Sequence, residues 1–148
     1  SINSGNSGGP LLNQDGQVIG INTAKANADN LGFSIPINTA KAIVEKIVEG
    51  KNYTRPTLGI SGMDVKTYTA YTGQSPDVNN GIIVRSVSSG SVADKAGLKA
   101  GDIITKIGDS EIKTMNDLSK KLYSYSSGSK DTITVYRDGK ATDLKISF

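Results

Sequence analysis

Gly5-Asn6-Ser7-Gly8-Gly9-Pro10 is the stretch from which the rest of this 148-residue chain is read. A serine set between glycines sits on backbone that can turn sharply, so the hydroxyl is exposed while neighbouring amides converge. Two fixed N–H groups beside a nucleophile stabilise the oxyanion of acyl transfer by about 3 kcal/mol each. The natural donors here are the amides of Gly5 and Ser7. The same residues also fit a polar glycine-rich turn leading into a strand, with no chemistry attached.

Working outward, Pro10 to Asn13 and Gln17 to Thr23 are short apolar runs separated by Asp15-Gly16, a two-residue hairpin signal. Ala24 to Asn30 is small and polar, which suits an exposed loop. Leu31 to Ile37 reads as a third strand, with Pro36 near its end, where a missing donor does least harm. Asn38 to Gly50 is the clearest helix: Asn38 or Thr39 can cap it, and Ala40, Ile43, Val44, Ile47 and Val48 form an apolar stripe. Gly50 supplies the stop. The polar connector from Lys51 to Pro56 places a domain boundary after residue 55.

A second pattern runs from Pro56 to Phe148. Thr57 to Met63 and Gly81 to Val87 read as strands, with a polar excursion between them from Tyr68 to Asn80. Ser88 to Leu98 is a turn and one short helix, Ile103 to Ile107 a strand, and Gly108-Asp109 a tight turn before Glu111-Ile112. A helix runs from about Met115 to Tyr125. Strands Thr132 to Tyr136 and Thr142 to Ile146 flank an Asp138-Gly139 hairpin. Five or six short strands and two helices in this length make one ordinary domain.

Composition narrows the chemistry. With no cysteine and no histidine, disulfides and thiolate chemistry are excluded and a zinc site is improbable; no cofactor is expected. A net charge of +3, with lysines spread along the chain, reads as solvated surface and not as a nucleic-acid footprint. No run approaches the roughly 18 apolar residues that span a bilayer. Aromatics are scarce and tryptophan is absent, so any core must be aliphatic.

Asn3-Ser4-Gly5-Asn6-Ser7-Gly8-Gly9-Pro10-Leu11-Leu12, followed by Gly16-Gln17-Val18-Ile19-Gly20-Ile21-Asn22, resembles the nucleophile segment of chymotrypsin-like serine proteases. Gly32-Phe33-Ser34-Ile35-Pro36-Ile37 narrows the resemblance to the HtrA (DegP-like) family. Gly81-Ile82-Ile83-Val84, Gly90-Ser91-Val92-Ala93 and Ala96-Gly97-Leu98-Lys99-Ala100-Gly101-Asp102-Ile103-Ile104 resemble the PDZ domains of those proteases. The resemblance implies a mainly β fold with short helices: part of a chymotrypsin-like β-barrel in residues 1–55, followed by an HtrA-type PDZ domain in residues 56–148.

It also implies that Ser7 is the nucleophile, with the Gly5 amide in the oxyanion site. In this family the base is a histidine oriented by an aspartate. Both precede the serine in chymotrypsin-like chain order, yet this chain has no histidine and six residues before Ser7. The expectation is therefore the C-terminal portion of a longer serine endopeptidase of protein quality control, without triad-dependent activity by itself. Ser1 and Ile2 fall at the base of the substrate pocket, where no acidic residue would hold Lys or Arg, so small or medium aliphatic residues are expected before the cut.

For the second domain the resemblance places a carboxylate-binding loop at Thr57, Leu58, Gly59 and Ile60, with a docking edge through Ser61, Gly62 and Met63. Leu118 and Leu122 would form the opposite wall, core packing being the plain alternative for both. Arg55 could add charge near the carboxylate, although linker arginines are as often merely solvated. Implied partners are C-terminal peptides with an apolar last residue, unfolded or misfolded protein substrates, and further copies in a homo-oligomer, the family trimer. The implied location is extracytoplasmic and bacterial, with any signal or membrane anchor upstream of Ser1. The alternative is a non-catalytic PDZ module whose residues 1–55 are a disordered or swapped remnant, exposing apolar faces on Leu11, Ile19, Ile21 and Ile43.

Overall fold

The computed structural model describes residues 5–25, 32–50 and 56–148. Ser1, Ile2, Arg55 and residues 26–30 of the expected loop lie outside the described residues; the first two residues of that loop, Ala24 and Lys25, instead continue a strand, because they pair with Phe33 and Gly32. The chain divides into two units, Ser1–Tyr53 and Thr54–Phe148.

The first unit is a three-stranded antiparallel sheet, β1 (Pro10–Leu12), β2 (Val18–Lys25) and β3 (Gly32–Pro36), followed by α1 (Ile37–Val48). The first hairpin is not the two-residue turn expected at Asp15-Gly16. Asn13 N–H donates to the Gln17 carbonyl at 3.0 Å, which leaves a three-residue loop closed by Gly16 at φ +76°. The Asn13 side chain stabilises the wider loop by accepting from the amides of Asp15 and Gln17.

Nor is α1 capped by Asn38 or Thr39. The chain passes from β3 straight into the helix through Pro36, which makes no side-chain cap bond, so both residues fall inside the first turn. The expected stop holds, with Gly50 N–H on the Ile47 carbonyl at 3.0 Å. Ala40 is buried and Ile43 half-buried, but Ile47 and Val48 are exposed, Val48 at 80%. Leu11 and Ile19 are exposed as expected, while Ile21 is half-buried.

The second unit runs β4 (Ile60–Asp64), α2 (Val65–Thr72), β5 (Ile82–Val87), α3 (Val92–Ala96), β6 (Ile103–Ile107), β7 (Ser110–Glu111), α4 (Met115–Tyr123), β8 (Lys130–Arg137) and β9 (Lys140–Ser147). The sheet order is β4-β5-β6-β8-β9 with β7 beside β6, which leaves β4 and β9 as its edges. Ile82, Val84, Ile104, Ile107, Ile133, Val135 and Ile146 point to one side, where Leu58, Leu98, Ile112 and Leu118 complete an aliphatic core. Each fully buried side chain of this size stabilises the fold by about 1.5–3 kcal/mol.

Strands β8 and β9 each extend beyond the ranges read from the sequence and α4 stops at Tyr123, but two departures are larger. The polar excursion read from Tyr68 to Asn80 is helical as far as Thr72: α2 already begins at Val65, whose buried side chain and N–H bond to the Gly81 carbonyl (2.9 Å) hold a helix of poor intrinsic propensity. The strand expected from Thr57 starts at Ile60. The β8–β9 hairpin turns at Asp138 and Gly139, both at positive φ, as a two-residue loop between Arg137 and Lys140.

One buried ion pair ties this unit together. Asp102 is 1% exposed and accepts from Arg137 Nε at 2.6 Å and Nη2 at 2.7 Å, and from Lys99 N–H at 2.8 Å. The hydrogen bond to Asp102 raises the Arg137 pKa further.

Candidate functional sites

Ser7 precedes β1 on a loop stitched to β2. Gly8 N–H donates to the Asn22 carbonyl at 2.8 Å, Asn22 N–H to the Gly9 carbonyl at 3.0 Å, and Gly9 N–H to the Asn6 carbonyl at 3.0 Å. Asn22 is itself buried and its Oδ1 accepts from the Ser34 hydroxyl at 2.8 Å, so the loop rests on a fixed base. Gly5 has φ +99°. Among the described residues no hydrogen bond uses the N–H of Gly5 or Ser7.

The Ser7 side chain is exposed, and its hydroxyl donates to the Thr23 carbonyl at 3.1 Å. A carbonyl cannot accept that proton covalently, so this contact orients the oxygen without activating it. Thr23 is a partner that sequence reading missed, because a main-chain carbonyl carries no residue-type signal.

The second site lies along β4. Ser88 N–H donates to the Gly59 carbonyl at 2.8 Å while Ile60 lies opposite Val87. In an antiparallel ladder this makes Ile60 a non-hydrogen-bonded partner of Val87, with its own N–H and C=O directed to the open edge of the sheet. Opposite Ser61 and Gly62 the register skips Arg85, so the bulge lies in β5, the neighbour of this edge strand. A Cβ on Gly62 would lie 2.6 Å from the Ile83 carbonyl oxygen, so glycine is needed there. Gly59 has φ +76°, and a Cβ on it would lie 2.3 Å from Ser91 Cβ; both conformation and space demand glycine.

Leu58 and Leu118 are both 2% exposed and belong to the core, whereas Ile60 and Leu122 are half-buried and pack against it. Ser61 is exposed and Met63 half-buried. The half-buried pair, Ile60 and Leu122, thus keeps apolar surface available to an added chain, while Leu58 and Leu118 support it from beneath.

Helix α4 is pinned to the same strand. Met115 N–H, at its first turn, donates to Asp64 Oδ1 at 2.7 Å across 51 residues of sequence. Thr114 and Asp117 form a capping box. The hydrogen bond from the Thr114 hydroxyl, at 2.9 Å, holds the Asp117 carboxyl below its usual value. Asp64 was invisible in the sequence because its partner is a backbone amide so far away. Among the described residues no group of His, Cys, Asp and Glu is placed to hold a metal ion.

Comparison with known proteins agrees with both halves. The PDZ domain family profile matches residues 56–148, and the trypsin profile matches residues 1–44. The serine protease Do-like HtrA of Lactococcus lactis subsp. lactis is 40% identical over 161 residues, covering 99% of this chain and 40% of the relative. The HtrA of Bacillus subtilis is 38% identical, covering 99% and 35%. The periplasmic pH-dependent serine endoprotease DegQ of Escherichia coli is 35% identical, covering 99% and 33%. This chain therefore spans about 40% or less of the length of these relatives. Among solved structures, the HtrA-type protease AlgW with a decapeptide superposes with a TM-score of 0.75 at 30% identity, covering 99% of this chain and 46% of that one. A serine endoprotease from Yersinia pestis does so with a TM-score of 0.66 at 29% identity, covering 99% and 48%.

Proposed function

This chain belongs to the HtrA (DegP-like) serine protease family, joining part of a trypsin-like domain to a PDZ domain, and from that premise we propose two linked activities. The whole protein is an extracytoplasmic bacterial serine endopeptidase of protein quality control, and its PDZ domain captures the C-termini of peptides and unfolded proteins. The observation that carries the second activity is the open edge of β4, where the Ile60 amide faces outward beside Gly59. An extended peptide adds to such an edge as a strand, while its terminal carboxylate accepts backbone N–H groups. Half-buried Ile60 and Leu122 favour an apolar last residue.

In the protease step, Ser7 Oγ attacks the scissile carbonyl, the Gly5 and Ser7 amides take the oxyanion, and a histidine takes the hydroxyl proton. That histidine, and the aspartate orienting it, come from outside this sequence, which contains no histidine. These residues alone therefore lack triad-dependent turnover. The specificity for small or medium aliphatic residues and assembly into a homo-oligomer belong to the same reading of the whole protein. The DegQ relative, named periplasmic, supports the extracytoplasmic location.

The test is binding of two peptides that share an apolar last residue, one a free acid and one an amide. The acid binds markedly tighter if the edge captures a carboxylate; equal affinities contradict it.

A further inference from the structure

The loop before β4 is held from behind by a segment about thirty residues further on. Ser88 N–H donates to the Gly59 carbonyl at 2.8 Å, and Ala93 N–H donates to the Leu58 carbonyl at 2.9 Å. Ser91 stands between them. Its Oγ accepts from Asp94 N–H at 3.2 Å to cap α3, and the same hydroxyl approaches the Gly59 carbonyl at 3.5 Å. The Asp94 carboxylate reaches back to Gly90 N–H at 2.8 Å and closes the turn.

This bracing fixes a direction. In a trans peptide the carbonyl of one residue and the N–H of the next point opposite ways, and the chain has no cis peptide among the described residues. With the Leu58 carbonyl drawn onto Ala93, Gly59 N–H points away from the brace. With the Gly59 carbonyl drawn onto Ser88, Ile60 N–H does the same, toward the free edge of β4. No hydrogen bond among the described residues uses the Gly59 amide. Ser91 also fills the space directly over Gly59, at the 2.3 Å approach that excludes any Cβ there.

We propose that Ser88–Ala93 is the positioning element of carboxylate recognition, aiming the Gly59 and Ile60 amides at one point, with Ser91 its central residue. Ser91 is not itself a ligand-binding residue. It acts by capping α3 and by occupying the space behind Gly59, so that two donors are oriented before a peptide arrives. The proposal rests on the reading of this groove as a C-terminus site.

The test uses the full chain with matched free-acid and amide peptides and two variants. Ser91→Ala removes the cap. Ser91→Gly leaves a cap nearly as good but opens the space over Gly59, and it serves if Ser91→Ala fails to fold. Each folded variant should lose about fivefold to tenfold in affinity for the acid, less than the roughly tenfold or more that outright loss of one hydrogen bond to a charged acceptor costs, because the donors are misaimed and not removed. Affinity for the amide should be unchanged, so the acid-to-amide ratio collapses. Variants that keep the wild-type ratio, or that weaken both peptides equally, overturn the positioning role while leaving the groove reading intact. A wild-type ratio of one overturns the groove reading itself, and the positioning role with it.

Discussion

Arg137→Ala should destabilise the second unit by about 3–5 kcal/mol, the cost of leaving a buried carboxylate without its cation. Asp102 is nearly inaccessible and relies on three donors, two of them from Arg137. Truncation leaves Asp102 with the Lys99 amide at 2.8 Å as its remaining donor among the described residues and also strips the Gly97 carbonyl of a 2.8 Å bond from Arg137 Nη2. Small domains have about 5–15 kcal/mol in total, so the loss is a large fraction of the whole. Urea unfolding followed by far-ultraviolet circular dichroism measures it, since the chain has no tryptophan to report. Arg137→Lys should fall between, because an ammonium cannot make the paired contact. The combined Asp102→Leu and Arg137→Met variant removes both charges and should cost less than Arg137→Ala alone. An Arg137→Ala cost below about 1 kcal/mol, within the range of exposed pairs, would refute the argument that burial gives this pair its weight.

Gly59→Ala should abolish acid-peptide binding and lower stability, because it meets both a left-handed φ and the 2.3 Å approach to Ser91; full binding by the alanine variant would contradict the geometry. Ser7→Ala should leave casein turnover by this chain unchanged at background, since no histidine is present to activate the hydroxyl; turnover that the substitution abolishes would count against that. The acid limb of stability should trace in part to Asp117 and Asp131, each held below its ordinary value of 3.8, chiefly by hydrogen bonds from Thr114 and Tyr125 respectively. Their folded pKa values lie below the unfolded ones, so the stabilisation is present above about 3.8 and is lost as pH falls through the lower folded values. Asp117→Asn with Asp131→Asn should flatten the stability-versus-pH curve there, and an unchanged acid limb would be the contrary result.

What the sequence disclosed was local. Asp138-Gly139 carries its turn type in two residues, and the β-prone run from Gly81 to Val87 declares a strand that the structure places at Ile82–Val87. Gly59 was legible as a loop glycine, though not that Ser91 crowds it. Non-local terms were hidden: Asp64 accepts from the first-turn amide of α4, 51 residues away, and Thr23 serves Ser7 through a carbonyl that any residue would supply. The sequence reading also missed α2, because Val65–Thr72 is rich in β-branched and aromatic residues and is held by burial of Val65, not by propensity. For Leu118 the residue type could not distinguish pocket wall from core, and its 2% exposure puts it in the core. In α1 the apolar stripe was legible, but not how much of it stays uncovered in this unit: Ile47 and Val48 remain exposed.

The most direct test of the account is amide hydrogen exchange on the full chain, with and without a peptide ending in a free apolar carboxylate. Strand addition at β4 predicts that peptide raises protection from Leu58 to Met63, at the edge where Ile60 offers its amide. Protection gained instead along β9, the opposite edge of the same sheet, or gained nowhere, would contradict it.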